Sequence, residues 1–534
     1  MLFNSYEFIL VFLPVSLAGF FTIGKLIGRE AAILWLFLAS LFFYAWWDPA
    51  YLVLLMGSIA FNFVLGRYLF RLGNTGRQKA ASSALGLGIF VNLALLGYYK
   101  YTDFFIRNVN SIFGTDIFLV KIVLPLAISF FTFNQIAYLV DARKGIAGEG
   151  RFSHYALFVT FFPHLIAGPI VHHAELMPQF RRRDALVSSK DDLAVGIAIF
   201  AIGLIKKAVL ADGIAVYAAP VFTAAAHGGH LTLFTAWGGA LAYTMQLYFD
   251  FSGYSDMAIG AARLFGIHLP LNFNSPYKST SITEFWRRWH ITLSRFLRDY
   301  LYIPLGGNRK GKLRRYLNLF ITMLLGGLWH GAGWTFMLWG GLHGVYLIIN
   351  HGWRFIYTQL GYESRRFEPL TKALSWLITF VAVVIGWVFF RAESLPASIA
   401  MLEGMFGFNG IAIPNALMTR LGPVGGWLHV LGVRSSLADG AVSGGSDFIL
   451  TWLWVGFLFA IAMVMPNTQE IMARHHPALD TYKSKPRDAV LLSDALFGRL
   501  RWAYSRRWAV VTAAISAAGL LSLSHVSEFL YFQF

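Results

Sequence analysis

Apolar segments of membrane-spanning length recur along almost the whole chain, and this recurrence constrains the fold more than any other feature. A helix needs about 20 apolar residues to cross roughly 30 Å of hydrocarbon. Such segments are predicted near 7–27, 31–47, 50–70, 82–99, 118–140, 193–211, 231–251, 371–390, 448–466 and 508–526. No long polar linker separates them, so we expect one all-α integral membrane domain over residues 1–534, with about 10 full spans plus re-entrant or broken helices.

The composition also indicates that the bilayer is the solvent. Hydrophobic residues make up 57% of the chain and charged residues only 13%, whereas charged residues are about a quarter of a soluble domain. The formal net charge of +17 is carried by short loops between apolar segments, which is typical of cytoplasmic loops and argues against a nucleic-acid partner. Because the chain has no cysteine, it cannot form a thioester acyl-enzyme.

The charge of the loops predicts their orientation. Loop 67–79 has four basic residues and no acid, and segment 278–315 has ten basic residues against two acids. Segment 467–507 is also basic, whereas loop 391–447 is rich in glycine and has only three basic residues. We therefore expect the first three in the cytoplasm and 391–447 outside it, with the N-terminus and the C-terminus also outside.

Two segments do not have the pattern of an ordinary membrane-spanning helix. Segment 316–350 has 35 residues around a glycine-rich centre, which is too few for two spans of about 20 residues plus a turn. A broken-helix hairpin fits better, with 328–333 held at depth and lining a cavity. Segment 152–175 is interrupted by Pro163, His164, Gly168 and Pro169, which predicts a re-entrant or interfacial element.

His330, within GGLWHGAGW, is the first candidate catalytic residue. An ionisable group inside a membrane protein indicates function by default. A neutral imidazole can take the proton of a hydroxyl as its oxygen attacks a thioester. Nearby glycines would let backbone amides approach the oxyanion that forms; they are Gly326, Gly327, Gly331 and Gly333. The alternative is a core histidine whose ring is bonded to a backbone carbonyl.

His290 is the second candidate catalytic residue, in the run EFWRRWHITLSRFLRDYLYIPLGG. Neighbouring Arg287 and Arg288 would offer a phosphate-bearing donor a basic docking surface. The alternative is a juxtamembrane helix whose arginines reach lipid headgroups. Asn308 and Trp329 complete this side of the candidate substrate-binding set.

Asp250 and Asp256 lie in the apolar, aromatic run 246–267, where charged groups need partners. Asp250 is a candidate substrate-binding residue. Equally, both carboxylates could pair with arginines such as Arg263 or those of 287–298. No GxSxG or HExxH motif occurs, so the sequence predicts no metal site.

Several ordered runs together resemble one family, the membrane-bound O-acyltransferases (MBOAT), in their bacterial alginate O-acetylation branch. The runs are VFLPV near the start, LPLAISFFTFNQIAYLVD, FFPHLIAGPI, QLYFDFSGYSDMAIG, the 284–307 run, GGLWHGAGW and the terminal YFQF. Ala127 stands where the family pattern has glycine, and His164 stands where glutamine is more usual.

The resemblance implies a helical funnel with a central tunnel, with the family's invariant histidine at His330 and its second motif histidine at His290. It also implies acetyl-CoA or another acyl thioester as donor, with no permanently bound cofactor. The acetyl group would be delivered across the bacterial cytoplasmic (inner) membrane for O-acetylation of an exported polysaccharide such as alginate. Periplasmic acetyltransferases or SGNH-type proteins would be the partners, with membrane lipids around the chain.

Three other functions stay open at the level of sequence. The acceptor could be a different envelope polymer: cellulose, peptidoglycan, or teichoic acid receiving D-alanine. The chain could instead be a transporter or flippase that uses Asp250, Asp256 and the arginines as a relay. It could also be a scaffold that recruits periplasmic acetyltransferases through loop 391–447.

Overall fold

Helices make up almost all the regular structure of this protein. The computed structural model describes residues 1–182, 186–187, 189–359, 368–436, 445–479, 500–524 and Leu530. Two three-residue strands, β1 (Ala412–Pro414) and β2 (Arg434–Ser436), pair in parallel within the loop that follows residue 391. The predicted helical class is therefore confirmed, with this small sheet as an addition.

The first half of the chain contains eleven described α-helices. They are α1 (Leu13–Leu26), α2 (Arg29–Ala45), α3 (Tyr51–Asn74), α4 (Gln78–Phe113), α5 (Ile128–Arg143), α6 (Phe152–Thr160), α7 (Phe162–Leu165), α8 (His173–Phe180), α9 (Lys190–Ile205), α10 (Asp212–Ala226) and α11 (Leu233–Leu264). A π-helical turn, Lys206–Ala211, joins α9 to α10, and another, Glu7–Phe12, precedes α1.

The second half of the described chain contains the remaining α-helices. They are α12 (Ile282–Arg288), α13 (Ile291–Leu297), α14 (Gly311–His330), α15 (Trp334–Gln359), α16 (Glu368–Arg391), α17 (Leu395–Met405), α18 (Asn415–Arg420), α19 (Pro423–Val430), α20 (Gly445–Val464), α21 (Thr468–Ile471) and α22 (Arg506–Leu521). A π-helical turn, Arg298–Tyr302, extends α13.

Six helices of the described chain are both long and apolar enough to cross a membrane. They are Glu7–Leu26, Tyr51–Asn74, Gln78–Phe113, Lys190–Ala226, Pro369–Arg391 and Gly445–Val464. The predicted spans 31–47 and 508–526 correspond to shorter helices of 17 and 16 residues. The predicted span 231–251 corresponds to α11, which is 32 residues long but contains Asp250, Asp256 and Arg263. The estimate of about 10 full spans is thus not confirmed.

The predicted span 118–140 is wrong before residue 128. Residues 114–127 form no helix, and α5 begins only at Ile128. Pro125 removes a backbone donor, and Ala127 adopts a left-handed conformation with φ 61° and ψ 9°. This conformation favours glycine, so it explains physically why a glycine is the expected residue at this position.

The segment 152–175 breaks where its prolines and glycine predict. It forms α6, the four-residue α7 and the start of α8, with extended chain around Gly168 and Pro169. Nearly all its side chains are buried, and His164 bonds through Nε2 to the Phe158 carbonyl at 3.0 Å. Packing inside the helix bundle therefore describes this segment better than an interfacial position.

The segment 316–350 belongs to a longer helical hairpin than its sequence suggests. Helix α14 has 20 residues and α15 has 26, and only residues 331–333 separate them. The predicted break is confirmed, but the predicted shortness is wrong because the helices extend to residues 311 and 359. A Cβ on Gly327 would lie only 3.0 Å from Gly340 Cα, so these glycines let the two helices pack closely.

The two ends of α11 contact different loops. Near its start, the Trp237 indole N–H donates to the Met405 carbonyl at 2.9 Å, beside loop 391–447. Near its end, Arg263 donates to the His476 carbonyl at 2.9 Å, within segment 467–507. These contacts are about 39 Å apart along a helix. The opposite orientation of the two loops stays a prediction.

Candidate active site at the end of helix α14

His330 is the last residue of α14 and is only 4% exposed. Aromatic rings from three helices surround its imidazole: Trp329 at 5.0 Å, Trp339 at 5.0 Å and Phe390 at 5.2 Å between ring centroids. The hairpin break places His330 where α14 stops and the backbone turns toward α15. We call this group of buried rings around His330 the histidine chamber.

His290 lies beside His330, with 6.4 Å between ring centroids. It is fully buried, between α12 and α13, and its backbone is left-handed with φ 42°. Its Nδ1 is 3.0 Å from the Asn272 amide oxygen, while Nε2 has no hydrogen-bond partner in the described part of the chain. An amide oxygen only accepts, so Nδ1 carries the proton and Nε2 has a lone pair available to a ligand.

His343 is a third buried histidine of the chamber, and the sequence interpretation missed it. Its Nδ1 accepts from the Trp286 indole N–H at 3.2 Å, and its Nε2 has no partner among the described residues. The Trp339 ring contacts both His343 and His330, at 5.0 Å each. The signal was present: His343 is also a lone ionisable residue within an apolar run.

Two consecutive residues of α4 bond to the end of α14. The Lys100 ammonium donates to the carbonyls of Trp329 at 2.6 Å and His330 at 3.0 Å. The Tyr101 hydroxyl donates to the Leu328 carbonyl at 2.8 Å. These carbonyls belong to the last turn of a helix, where no helical N–H is available to them.

Trp329 forms part of the wall behind His330. Its indole stacks on Phe133 at 4.9 Å and meets Phe130 edge to face at 5.4 Å. The structure thus brings together three of the candidate site residues, Trp329, His290 and His330.

Three other predicted site residues lie elsewhere. Arg288 is buried and ion-paired with Glu284 at 2.9 Å, whereas Arg287 is exposed. Asn308 is exposed before the start of α14, where it accepts a hydrogen bond from Tyr302. Because α14 is about 30 Å long, Asn308 is remote from His330.

Asp250 and Asp256 pair with lysines, so the predicted pairing with arginines is wrong. Asp250 is 2.7 Å from Lys207, and Asp256 is 2.6 Å from Lys206. The two lysines begin the π-helical turn Lys206–Ala211, which packs against α11. Arg263 pairs with Asp192 instead, at 2.6 Å.

A cavity of about 110 Å³ lies beside the α4–α5 loop. Trp47, Lys100, Ser129 and residues 124–128 line it, with Phe130 and Ile166. Lys100 therefore lines this cavity and also bonds to the His330 carbonyl. The tunnel that the family resemblance implies stays a prediction.

Comparison with known proteins assigns the family. Residues 145–389, which include all three histidines, match the model of MBOAT, the membrane-bound O-acyltransferase family. A peptidoglycan O-acetyltransferase of Helicobacter pylori is 46% identical over 440 residues, covering 77% of this chain and 81% of the relative. A probable alginate O-acetylase AlgI of Pseudomonas aeruginosa is 46% identical over 414 residues, covering 76% and 75%.

A more distant similarity covers half of the chain. A teichoic acid D-alanyltransferase of Streptococcus thermophilus is 31% identical over 284 residues, covering 50% of this chain and 68% of the relative. By their names, two of these relatives transfer acetyl groups and the third transfers D-alanyl groups, and the named polymers differ, but all three are acyltransferases. This protein is therefore a multi-pass membrane acyltransferase that belongs to the membrane-bound O-acyltransferase family.

Proposed function

We propose that this protein takes an acetyl group from a cytoplasmic thioester donor and passes it across the cytoplasmic membrane for O-acetylation of an exported polysaccharide. The observation that carries the proposal is the histidine chamber, in which His330 and His290 lie 6.4 Å apart between ring centroids. Acetyl-CoA is the simplest donor of this chemistry. Because the chain has no cysteine, it cannot itself hold the acyl group as a thioester. The thioester bond that breaks on this chain is therefore that of the donor.

His330 acts as the general base in this proposal. Its imidazole takes the proton of a hydroxyl while the hydroxyl oxygen forms a bond to the thioester carbon. The carbon–sulfur bond then breaks, and the proton passes from His330 to the departing thiolate. A positioned base of this kind is worth about 10²- to 10⁴-fold in rate. The aromatic walls exclude water, which would otherwise hydrolyse the thioester.

His290 orients the reacting groups. The hydrogen bond to Asn272 fixes the ring and directs the proton to Nδ1. The unpartnered Nε2 then accepts a hydrogen bond from the hydroxyl or from an amide of the donor. Buried polar atoms without a partner are rare in folded proteins, and a ligand in the chamber would supply the missing bond.

The donor is proposed to approach from the basic segment 278–315. Arg287 is exposed there and available to a phosphate group. Arg288 already pairs with Glu284, so we assign it to holding α12 in place. Asn308, at the far end of α14, belongs to the same entry side.

The acceptor is proposed to be reached from the opposite side, through periplasmic acetyltransferase or SGNH-type partners. Alginate is one candidate polymer, since a probable alginate O-acetylase is 46% identical to this chain. Peptidoglycan is a second, because a relative named for that polymer is equally identical and covers slightly more of the chain. We therefore propose polysaccharide O-acetylation in general, with these two polymers as the first to be tested.

A His330→Ala variant tests the proposal. In a strain lacking the chromosomal copy, we expect the variant to abolish the acetyl esters that wild type adds to exopolysaccharide or peptidoglycan. Both polymers are analysed by mass spectrometry before and after mild alkali. His227→Ala is the control, since His227 is exposed in the α10–α11 loop. Full acetylation by His330→Ala, at equal amounts of membrane-inserted protein, contradicts the proposal.

The same strains separate the alternatives. A scaffold would keep acetylation in His330→Ala and lose it when residues 415–430 of loop 391–447 are deleted. A transporter would move its substrate without consuming acetyl-CoA in vesicles. Membership of an acyltransferase family favours neither alternative.

A further inference from the structure

Lys100 is a basic residue of α4 that directly follows the apolar stretch 82–99. Helix α4 spans Gln78–Phe113 and is one of the six described helices long and apolar enough to cross a membrane. The ammonium bonds to backbone carbonyls of the buried residues Trp329 and His330, and a charge in such surroundings is costly and indicates function by default. In the part of the chain that the structure describes, no ion pair joins Lys100 to a carboxylate.

Backbone carbonyls take the place of a counter-ion. The ammonium lies 2.6 Å from the Trp329 oxygen, 3.0 Å from the His330 oxygen and 3.5 Å from the Ser129 hydroxyl. The C-terminal end of a helix carries a partial negative charge, so the last turn of α14 stabilises the cation. In return, the cation supplies two of the hydrogen bonds that the helix itself cannot make.

The bond to His330 lies where helix α14 ends. After His330 the backbone leaves the helix, and residues 331–333 read Gly-Ala-Gly, with no long side chain to pack. The position of the imidazole therefore depends on how the end of α14 is held. A misplacement of about 1 Å in such a group can cost about 10²-fold in rate.

We propose that Lys100 is a positioning residue of the acyl-transfer reaction, which holds the backbone of His330 so that its imidazole faces the reacting groups. This inference rests on the proposed role of His330 as the base. Lys100 acts through His330 and does not touch the substrate. It also lines the cavity beside the α4–α5 loop.

Tyr101 offers a matched control. Its hydroxyl bonds to the same helix end, but to the Leu328 carbonyl, two residues before the histidine. If the end of α14 needed only general stabilisation, losing either contact would have a similar effect. If the position of His330 is what matters, only the loss of Lys100 slows the reaction strongly.

The test uses the full chain in everted membrane vesicles that contain its partners and endogenous polymer, supplied with radiolabelled acetyl-CoA. We expect Lys100→Met to lower kcat about 100-fold with little change in KM for acetyl-CoA, because ground-state binding does not involve the base. We expect Tyr101→Phe to change kcat less than 3-fold. Lys100→Arg should recover kcat to within 10-fold of wild type, since a guanidinium can donate to both carbonyls.

Three outcomes overturn the inference: an unchanged kcat in Lys100→Met, an equal loss in Tyr101→Phe, or a loss confined to KM. If Lys100→Met does not fold, Lys100→Gln and Lys100→Arg are compared at equal folded protein, and equal rates again overturn it. His330→Ala is run in parallel. Activity in that variant removes the proposed function itself, whereas an inactive His330→Ala beside a fully active Lys100→Met removes only the role of Lys100.

Discussion

Two buried polar regions of this protein differ in how their polar atoms are satisfied. We call the first the lysine–aspartate cluster: Lys206, Lys207, Asp212, Asp250 and Asp256. Every charge in it faces an opposite charge, with Lys207 2.7 Å from Asp250 and 2.8 Å from Asp212. The second region is the histidine chamber.

The chamber contains polar atoms that the protein leaves unpaired. The Nε2 atoms of His290 and His343 and the indole N–H of Trp339 have no hydrogen-bond partner among the described residues. An unmet buried hydrogen bond costs about 1 to 3 kcal/mol. The pairing of the lysine–aspartate cluster therefore favours a role in the fold, whereas the unpaired atoms of the histidine chamber fit the proposal that a ligand binds there.

The largest expected effect concerns the cluster. Lys207→Met leaves Asp250 buried without its cation, and breaking a buried pair costs about 3 to 5 kcal/mol. Adding Asp250→Asn should restore much of this stability, because the uncompensated charge is removed. Thermal unfolding of the detergent-purified variants measures both effects.

The same variants decide whether Asp250 is a site residue, as its sequence position suggested. If Asp250 serves the fold alone, the folded fraction of Asp250→Asn keeps its kcat. A stable but inactive Asp250→Asn variant would show that Asp250 takes part in the reaction. The lysine–aspartate cluster would then not serve the fold alone.

The second effect concerns the chamber. His290→Gln should lower kcat about 10²-fold, with a change in unfolding temperature smaller than that of Lys207→Met. His343→Gln should lower kcat less than 10-fold, because His343 contacts the Trp339 ring, which in turn contacts His330. Initial acetylation rates in vesicles measure both variants, and a larger loss in His343→Gln would reverse the assigned roles.

A third, smaller effect tests the hairpin that carries the chamber. A Cβ on Gly340 would overlap the backbone of Met323 and lie 3.1 Å from Gly327 Cα. Gly340→Ala should therefore destabilise the protein by about 1 to 3 kcal/mol and slow catalysis. In Gly341→Ala the new Cβ would lie 3.8 Å from Leu324, an ordinary contact, so this neighbouring variant is the control. Equal unfolding temperatures for the two variants would show that α14 and α15 can move apart without loss of stability.

The smallest expected effect concerns a buried carboxylate that has polar partners and lies outside the membrane-spanning helices. Glu149, in the α5–α6 loop, is buried beside His173 at 3.4 Å and pairs with Arg181. Burial raises the pKa of its carboxyl, but the nearby His173, the hydrogen bond from the Arg151 backbone N–H and the charges of Arg181 and His154 outweigh this and lower the pKa to about 2.

A lowered pKa stabilises the fold above the unfolded value of 4.5, and this stability is lost as the pH falls toward 2. The loss is at most about 1.4 kcal/mol for each pH unit. Unfolding temperatures between pH 6 and pH 3 should therefore fall more steeply for wild type than for Glu149→Gln. Parallel curves would show that Glu149 is not responsible.

Much of the fold was predictable from local pattern. Helices α3, α16 and α20 begin and end within a few residues of the predicted spans. The predicted span 193–211 corresponds to α9 together with the π-helical turn that follows it. The failure at 118–140 has a local cause, since Pro125 and the left-handed Ala127 break an apolar run that composition alone reads as a helix. The length of the hairpin was underestimated for the opposite reason. The basic residues within 311–315 have the pattern of a loop, but they belong to the start of α14.

The candidate site was predictable in part. His330 and His290 were identified from their types and surroundings, and the structure places their rings side by side. The pairing of Asp250 and Asp256 was misassigned because lysines 206 and 207, distant in sequence, approach α11 only in the folded bundle. No pattern in the sequence distinguishes a lysine that binds a carboxylate from one that binds carbonyls.

Apolar segment length, charge distribution and ordered motifs are properties of a linear chain, so the solvent, the class of fold and the family could be predicted from them. The same patterns marked His330 and His290 as unusual. Which atoms have partners depends on the folded structure. It placed His343 and Trp339 in the chamber, directed Lys100 to the carbonyls of α14 and paired the aspartates with lysines. These are contacts between residues up to 230 positions apart, and packing in three dimensions determines them.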